Sequence, residues 1–197
     1  MFDKFLLKFS QDSRADDNIS EQILLEIDEF ANGFSELMQG HSGATFCRGL
    51  YRLHRVQDIS SWTVNLESAF PIYKNRIICF GFDWLGRHFV LDNKRVQDSQ
   101  RLILLLEPGT GEAMEIPTTF IDFHNKELIV YGNEALSSNF FQEWLSSGGS
   151  CPSHTECVGY KVPLFLNGKD EIYNLELSDM DVYWSICGQA LKNVKNS

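Results

Sequence analysis

The sequence predicts an α+β domain: a mostly antiparallel central sheet with helices packed on it. Two patterns and one bulk property carry that expectation. Apolar residues recur at helical spacing near both ends of the chain, while the middle reads as short apolar runs joined by turns, as hairpins do. The 197 residues are 43% hydrophobic and 13% aromatic. A chain of that size buries roughly 70% of its unfolded surface, so one core suffices without disulfide or metal staples.

In chain order, residues 11–18, QDSRADDN, are polar and acidic and read as a flexible connection. Ser20 is placed to cap a helix whose broad apolar face comprises Ile23, Leu24, Ile27, Phe30, Ala31, Phe34, Leu37 and Met38, with Gly40 and Gly43 ending it. Burying such a face contributes roughly 1.5–3 kcal/mol per large side chain before conformational entropy opposes it. A strand over 45–53 and a helix over 59–69, stopped ahead of Pro71, follow.

The middle predicts two hairpins. Residues 76–82 and 87–91 flank the turn DWLG, and residues 101–107 and 112–116 flank PGTG. In the second turn Pro108 suits the first central position and Gly109 the next, where a positive φ is wanted. Beyond Pro117 the spacing turns helical through Phe120, Phe123, Leu136, Phe140, Phe141, Trp144 and Leu145, closed by Gly148 and Gly149. Residues 158–166 read as extended. The last helix is expected to start at Ser178, with Asp181 as the carboxylate of a capping box. Its stripe of Met180, Trp184, Cys187, Leu191 and Val194 faces the core, so Trp184 and Cys187 are expected to be buried, as is Trp144.

Charge and cysteine usage restrict the function. Lys and Arg total 17 against 27 Asp and Glu, a net charge of -10. Such a chain repels phosphate backbones, which argues against direct nucleic-acid binding, and its field favours a basic partner. The longest apolar runs, such as 102–106, are too short to span a membrane, and no signal-peptide core follows the N-terminus. Five scattered cysteines fit free thiols in a reducing cytoplasm.

Catalytic and metal motifs are weak, and no cofactor is expected. PGTGE lacks the Gly-Lys-Ser/Thr ending of a phosphate loop and reads as a turn. Cys151, His154 and Cys157 form C-x2-H-x2-C but have no second pair nearby to complete a tetrahedral zinc site. Asp83, His88 and Asp92 surround the first hairpin, where Asp at a turn ordinarily bonds its own backbone. No nucleophile motif is present. The acidic group Asp170, Glu171, Glu176, Asp179 and Asp181 is readable in two ways. It is a solvated loop leading into a helix N-terminus, where carboxylates are favourable, or a docking rim for basic side chains.

Four segments, GLYRLH (49–54), FGFDWLGRHFVLD (80–92), LLLEPGTGEAMEIP (104–117) and CVGYKVPLFLNGKD with NLELSDMDVYW and CGQ (157–189), occur in order. Together they resemble the C-terminal domain family of immunity proteins to type VI secretion DNase effectors. In that family the domain often follows a GAD-like region. DWLG is also similar to the W-x-G element of SMI1/KNR4-like α+β immunity folds. The resemblance implies a helical N-terminal extension or reduced GAD-like region over 1–44 and an immunity-type domain over 45–197. It also implies a non-catalytic cytoplasmic antitoxin that binds a basic nuclease toxin domain. A stand-alone interaction or regulatory module is the second reading. Contact residues are expected among the acidic rim, then on the exposed side of the DWLG hairpin at Asp83 and Arg87.

Overall fold

The computed structural model of the chain describes residues 1–195. It is α+β, and its main sheet is a seven-stranded antiparallel meander whose spatial order is the chain order. The strands are β1 (Gln11–Arg14), β2 (Ala44–Phe46), β3 (Tyr51–Leu53), β4 (Ile77–Asp83), β5 (His88–Gln97), β6 (Gln100–Glu107) and β7 (Glu112–Thr119). A separate hairpin pairs β8 (Glu156–Tyr160) with β9 (Leu175–Asp179), Val158 opposite Leu177. Both hairpins read from the sequence are present: β4 pairs β5 across DWLG, and β6 pairs β7 across PGTG. The PGTG turn differs in detail, because the positive φ falls on Gly111, at 71°, and not on Gly109. Gly109 is required for closeness instead: a Cβ there would lie 2.6 Å from the Tyr160 ring.

Helices cover the sheet. Helix α1 (Asp3–Lys8) precedes β1, and α2 (Glu21–Asp28) and α3 (Phe34–His41) lie between β1 and β2. Helix α4 (Ile59–Ala69) packs on β4 and on the last helix, α9 (Met180–Lys195). After β7 the chain runs through α5 (Phe120–Asp122), a π-helical turn (Phe123–Glu127), α6 (Leu128–Val130), α7 (Gly132–Leu136) and α8 (Ser138–Ser146). The π turn places His124 in an aromatic cluster with Phe5, Tyr51, Phe80 and Phe120. Its Nδ1–H donates to the Phe120 carbonyl at 2.8 Å, so Nε2 accepts the Tyr51 hydroxyl at 3.0 Å.

Several local expectations are corrected. Residues 11–14 are not a loose connection but strand β1, paired antiparallel to β2. All four of its side chains are exposed, so no alternation betrays it. Phe2, Phe5, Phe9, Leu24, Phe34 and Met38 are buried in the same core as the sheet. The single helix expected from Ser20 onward is two helices. Gly33 breaks it at φ 81°, and Asp28 Oδ1 accepts the Ser35 amide at 2.9 Å to start the second. A Cβ at Gly33 would meet Met1 and Phe2 at about 3 Å, so the break is held by tertiary packing. Ser20 holds the N-cap position of α2 without a side-chain hydrogen bond.

The strand expected over 45–53 is interrupted by Cys47, Arg48 and Gly49, all at positive φ. Residues 164–166 form a 3-10 turn, not the end of a strand. The last helix is capped by Asp179, whose Oδ1 accepts the Val182 amide at 3.0 Å, and not by Ser178. Met180, Trp184, Cys187 and Leu191 are buried as expected, while Val194 is exposed and Trp144 only half-buried.

Candidate functional site

Buried polar groups position the surface next to α8. Trp84 of the DWLG turn is fully buried and donates its indole N–H to the Leu136 carbonyl at 2.9 Å. Asp83 Oδ1 accepts the Leu85 and Arg87 amides, and Oδ2 accepts Arg87 Nε at 2.6 Å; Arg87 Nη2 donates to the Ala135 carbonyl at 3.0 Å. Burial pushes the Asp83 carboxyl up, opposed by the Arg87 guanidinium and the backbone amides. This pair joins the hairpin to the α7–α8 junction. The expectation that Asp83 and Arg87 sit on an exposed side is therefore corrected: Asp83 is 0% and Arg87 6% exposed. DWLG closes on its own backbone because Asp accepts amides two and four residues on.

Arg52 performs a similar task for the loop before β8. Its guanidinium is buried over the Phe82 ring at 4.5 Å and donates to the backbone carbonyls of Asp83 (2.6 Å), Ser153 (2.5 Å) and Glu156. Burial lowers its pKa to about 10, which still leaves it charged at neutral pH.

Strand β6 ends at Glu107, which opens into a cleft of about 510 Å³ lined also by Arg87, Glu134, Glu143, Tyr160 and Asp170. A neighbouring cleft of about 790 Å³ shares Phe140, Glu143 and Asp170 and adds Trp144, Lys161 and Glu171. Phe140, Glu143 and Trp144 fall at i, i+3 and i+4 on α8 and so share one face. The opposite wall is the segment between β8 and β9, held by Asn174, which is 5% exposed. Its amide nitrogen donates to the Val162 and Lys169 carbonyls, both at 2.9 Å, and its oxygen accepts the Val162 amide at 3.0 Å. Asn174→Leu would orphan those backbone groups and is expected to cost about 2–3 kcal/mol, read as a lower urea midpoint.

The clefts are electronegative. Among the described residues lining them, Glu107, Glu134, Glu143, Asp170 and Glu171 are accompanied by two cations: Arg87, already matched by Asp83, and Lys161, which donates to the Tyr173 carbonyl at 2.7 Å. Burial pushes Glu107 up to about 7, with Arg87 opposing, so a cation entering the cleft would draw it to the ionised form.

Asp170, Glu171, Glu176, Asp179 and Asp181 are all exposed, but they do not form one patch. Asp170, which accepts the Tyr160 hydroxyl at 2.7 Å, and Glu171 border the α8 clefts. Asp179 and Asp181 border a different cavity beside α4. Glu176 lies on β9 opposite Gly159. Glu107, Glu134 and Glu143 were not singled out from sequence; Glu107, closing a run of leucines at 104–106, carried the one available signal. Cys151, His154 and Cys157 do not assemble: Cys157 is buried against Gly86, and His154 donates Nε2–H to the Leu53 carbonyl at 3.0 Å. Among the described residues no three His, Cys, Asp or Glu side chains converge as metal ligands. No helix among the described residues is long and apolar enough to cross a membrane.

The fold and clefts define an α+β protein with an electronegative face beside α8. Residues 118–190 match the model of a family described as T6SS immunity protein Tdi1, C-terminal. That is the type VI secretion immunity family which the four sequence segments resemble. The match covers α5 to β9 and most of α9, including the α8 and β8–β9 walls of the two clefts; the segments at 49–54, 80–92 and 104–117, with Arg87 and Glu107, lie outside it. Among solved structures, the crystal structure of Atu4351 from Agrobacterium tumefaciens is similar, with a TM-score of 0.67 and 12% identity over 96% of this chain and 89% of that one. Likeness at that identity is one of fold. No curated protein matches the chain.

Proposed function

We propose that this chain is a bacterial immunity protein that acts in the cytoplasm, binding and neutralising a cognate secreted nuclease toxin without catalysis of its own. The observation that carries this reading is the overlap of the family match at 118–190 with the α8 side of two electronegative clefts, which Glu134, Glu143, Asp170 and Glu171 line. A nuclease domain grips DNA through basic side chains, and an acidic surface can occupy them. The five clustered carboxylates and the net charge of -10 also speed encounter with such a partner. Asp170 and Glu171 stand at the centre of the proposed interface. Asp83 and Arg87 contribute by holding the α7–α8 wall, and Glu176, Asp179 and Asp181 lie outside this cleft pair.

The test is co-expression with the toxin encoded beside this gene, together with measured association rates. Reversing Glu143, Asp170 and Glu171 to Lys should slow association roughly tenfold at low salt and flatten its salt dependence, because rim charges act chiefly on the on-rate. Glu176→Lys is the internal comparison and should change the rate far less. Full protection by the triple variant with an unchanged rate would move the interface elsewhere. Failure of the wild-type chain to protect against that toxin would remove the immunity reading for the pair.

A further inference from the structure

A second cavity, beside α4, contains a polar group that the fold leaves unmatched. His54 follows β3 and is 1% exposed, and neither of its ring nitrogens has a hydrogen-bond partner among the described residues. A buried polar group in that state is destabilising, so it calls for an explanation. Burial, with His88, His154, Arg52 and Arg55 adding to it, holds His54 well below its ordinary pKa, and the neutral ring offers one N–H and one lone pair. The ring is fixed in place by Phe82 at 4.7 Å, His88 at 5.1 Å and Trp62 at 5.7 Å.

The cavity, about 310 Å³, is lined by His54, Asp58, Trp62, His154, Asp179 and Asp181. His154 donates its Nε2–H to Leu53, so its other nitrogen is an acceptor. Arg55 also lines the cavity but is paired to Asp58 at 2.5 Å, so these two charges cancel. Asp179 and Asp181 each accept one hydrogen bond, from the Val182 amide and the Asn65 side chain, and keep further lone pairs and a net charge of two carboxylates. The cavity therefore presents the His54 ring at its inner wall, the free His154 nitrogen as an acceptor, carboxylates at its mouth, and an indole.

That combination selects a flat, many-donor cation. A guanidinium carries five N–H donors in a plane, stacks on indole, and is more weakly hydrated than an ammonium. The described residues do not provide three converging ligands for a metal ion, which makes the organic cation the better match. We propose that this cavity is a socket for one arginine side chain of a protein partner. The proposal rests on the immunity reading only for the source of that arginine.

The experiment is a titration of the full chain with N-acetyl-arginine amide, which carries both the guanidinium and peptide carbonyls, followed by NMR at the Trp62 indole and His54 ring. Saturable shifts at both with a millimolar midpoint are expected, and the lysine analogue should bind at least fivefold more weakly. Asp181→Asn, an exposed and conservative change, should weaken arginine binding several-fold, and Trp62→Leu should abolish it. The proposal is overturned by the absence of a saturable shift, by equal binding of the lysine analogue, by an Asp181→Asn variant that binds as wild type, or by stoichiometric zinc uptake at His54 and His154. No toxin enters this measurement. A chain that takes the arginine probe but fails to protect cells loses the immunity reading and keeps the socket; the reverse outcome loses the socket alone.

Discussion

Arg87→Met is expected to cost about 3–5 kcal/mol, because it leaves the Asp83 carboxylate buried beside no cation. For a chain of this length that is a fall in Tm of roughly 6–20 °C. Methionine nearly preserves the volume, so packing loss contributes little. The double variant Asp83→Asn/Arg87→Met removes the orphaned charge while keeping an oxygen for the Leu85 and Arg87 amides, and it should recover a good part of the loss. The Ala135 carbonyl still loses its donor in both variants, so recovery is incomplete. Thermal unfolding of the three proteins decides this. An unchanged Tm for Arg87→Met would mean that the pair is incidental to the fold.

What could be read in advance follows from how local each cause is. The two central hairpins were legible because apolar runs and turn residues are adjacent in sequence, as at DWLG and PGTG. The α9 stripe was legible because helical spacing is a local property, and only Val194, in its last turn, departs from it. Strand β1 was not legible, since an edge strand with every side chain in water shows no alternation. The break at Gly33 depends on Met1 and Phe2, some thirty residues away, and the apolar period runs straight through it. The acidic rim was correctly read as exposed, but its division between two cavities depends on α4 and α8, which the sequence places far from it. Glu107, Glu143 and Asp170 come from a strand, a helix and a loop, so no spacing rule joins them. His54 read as a lone histidine, and it takes the fold to set His154 and Trp62 around it.

The largest environmental effect is expected from acid. All five histidines are held below their ordinary pKa, burial being the first cause in each; His88 is lowered to about 3 and His124 to about 4. The unfolded chain then binds protons below pH 6.5 that the folded chain refuses, so stability is full above that value and falls as pH drops through the window toward pH 4. Glu107 and Asp83 act in the opposite sense, because burial raises both and the folded state is the better proton acceptor there; Glu107 does so between about 4.5 and about 7. Five groups against two leave a net uptake on unfolding of about two to three protons, discounting the more exposed His41. That is on the order of 3–4 kcal/mol per pH unit. Against a total stability of roughly 5–15 kcal/mol, a slope of that size brings unfolding at about pH 5 if the stability lies at the low end of that range, and lower if it is greater. Urea midpoints measured from pH 7.5 to 4.5, at constant ionic strength, give the slope directly. Midpoints that stay level across that range would show that water or local opening reaches the histidines, and the packed aromatic surroundings of His54, His88 and His124 would then be looser than their ring contacts imply.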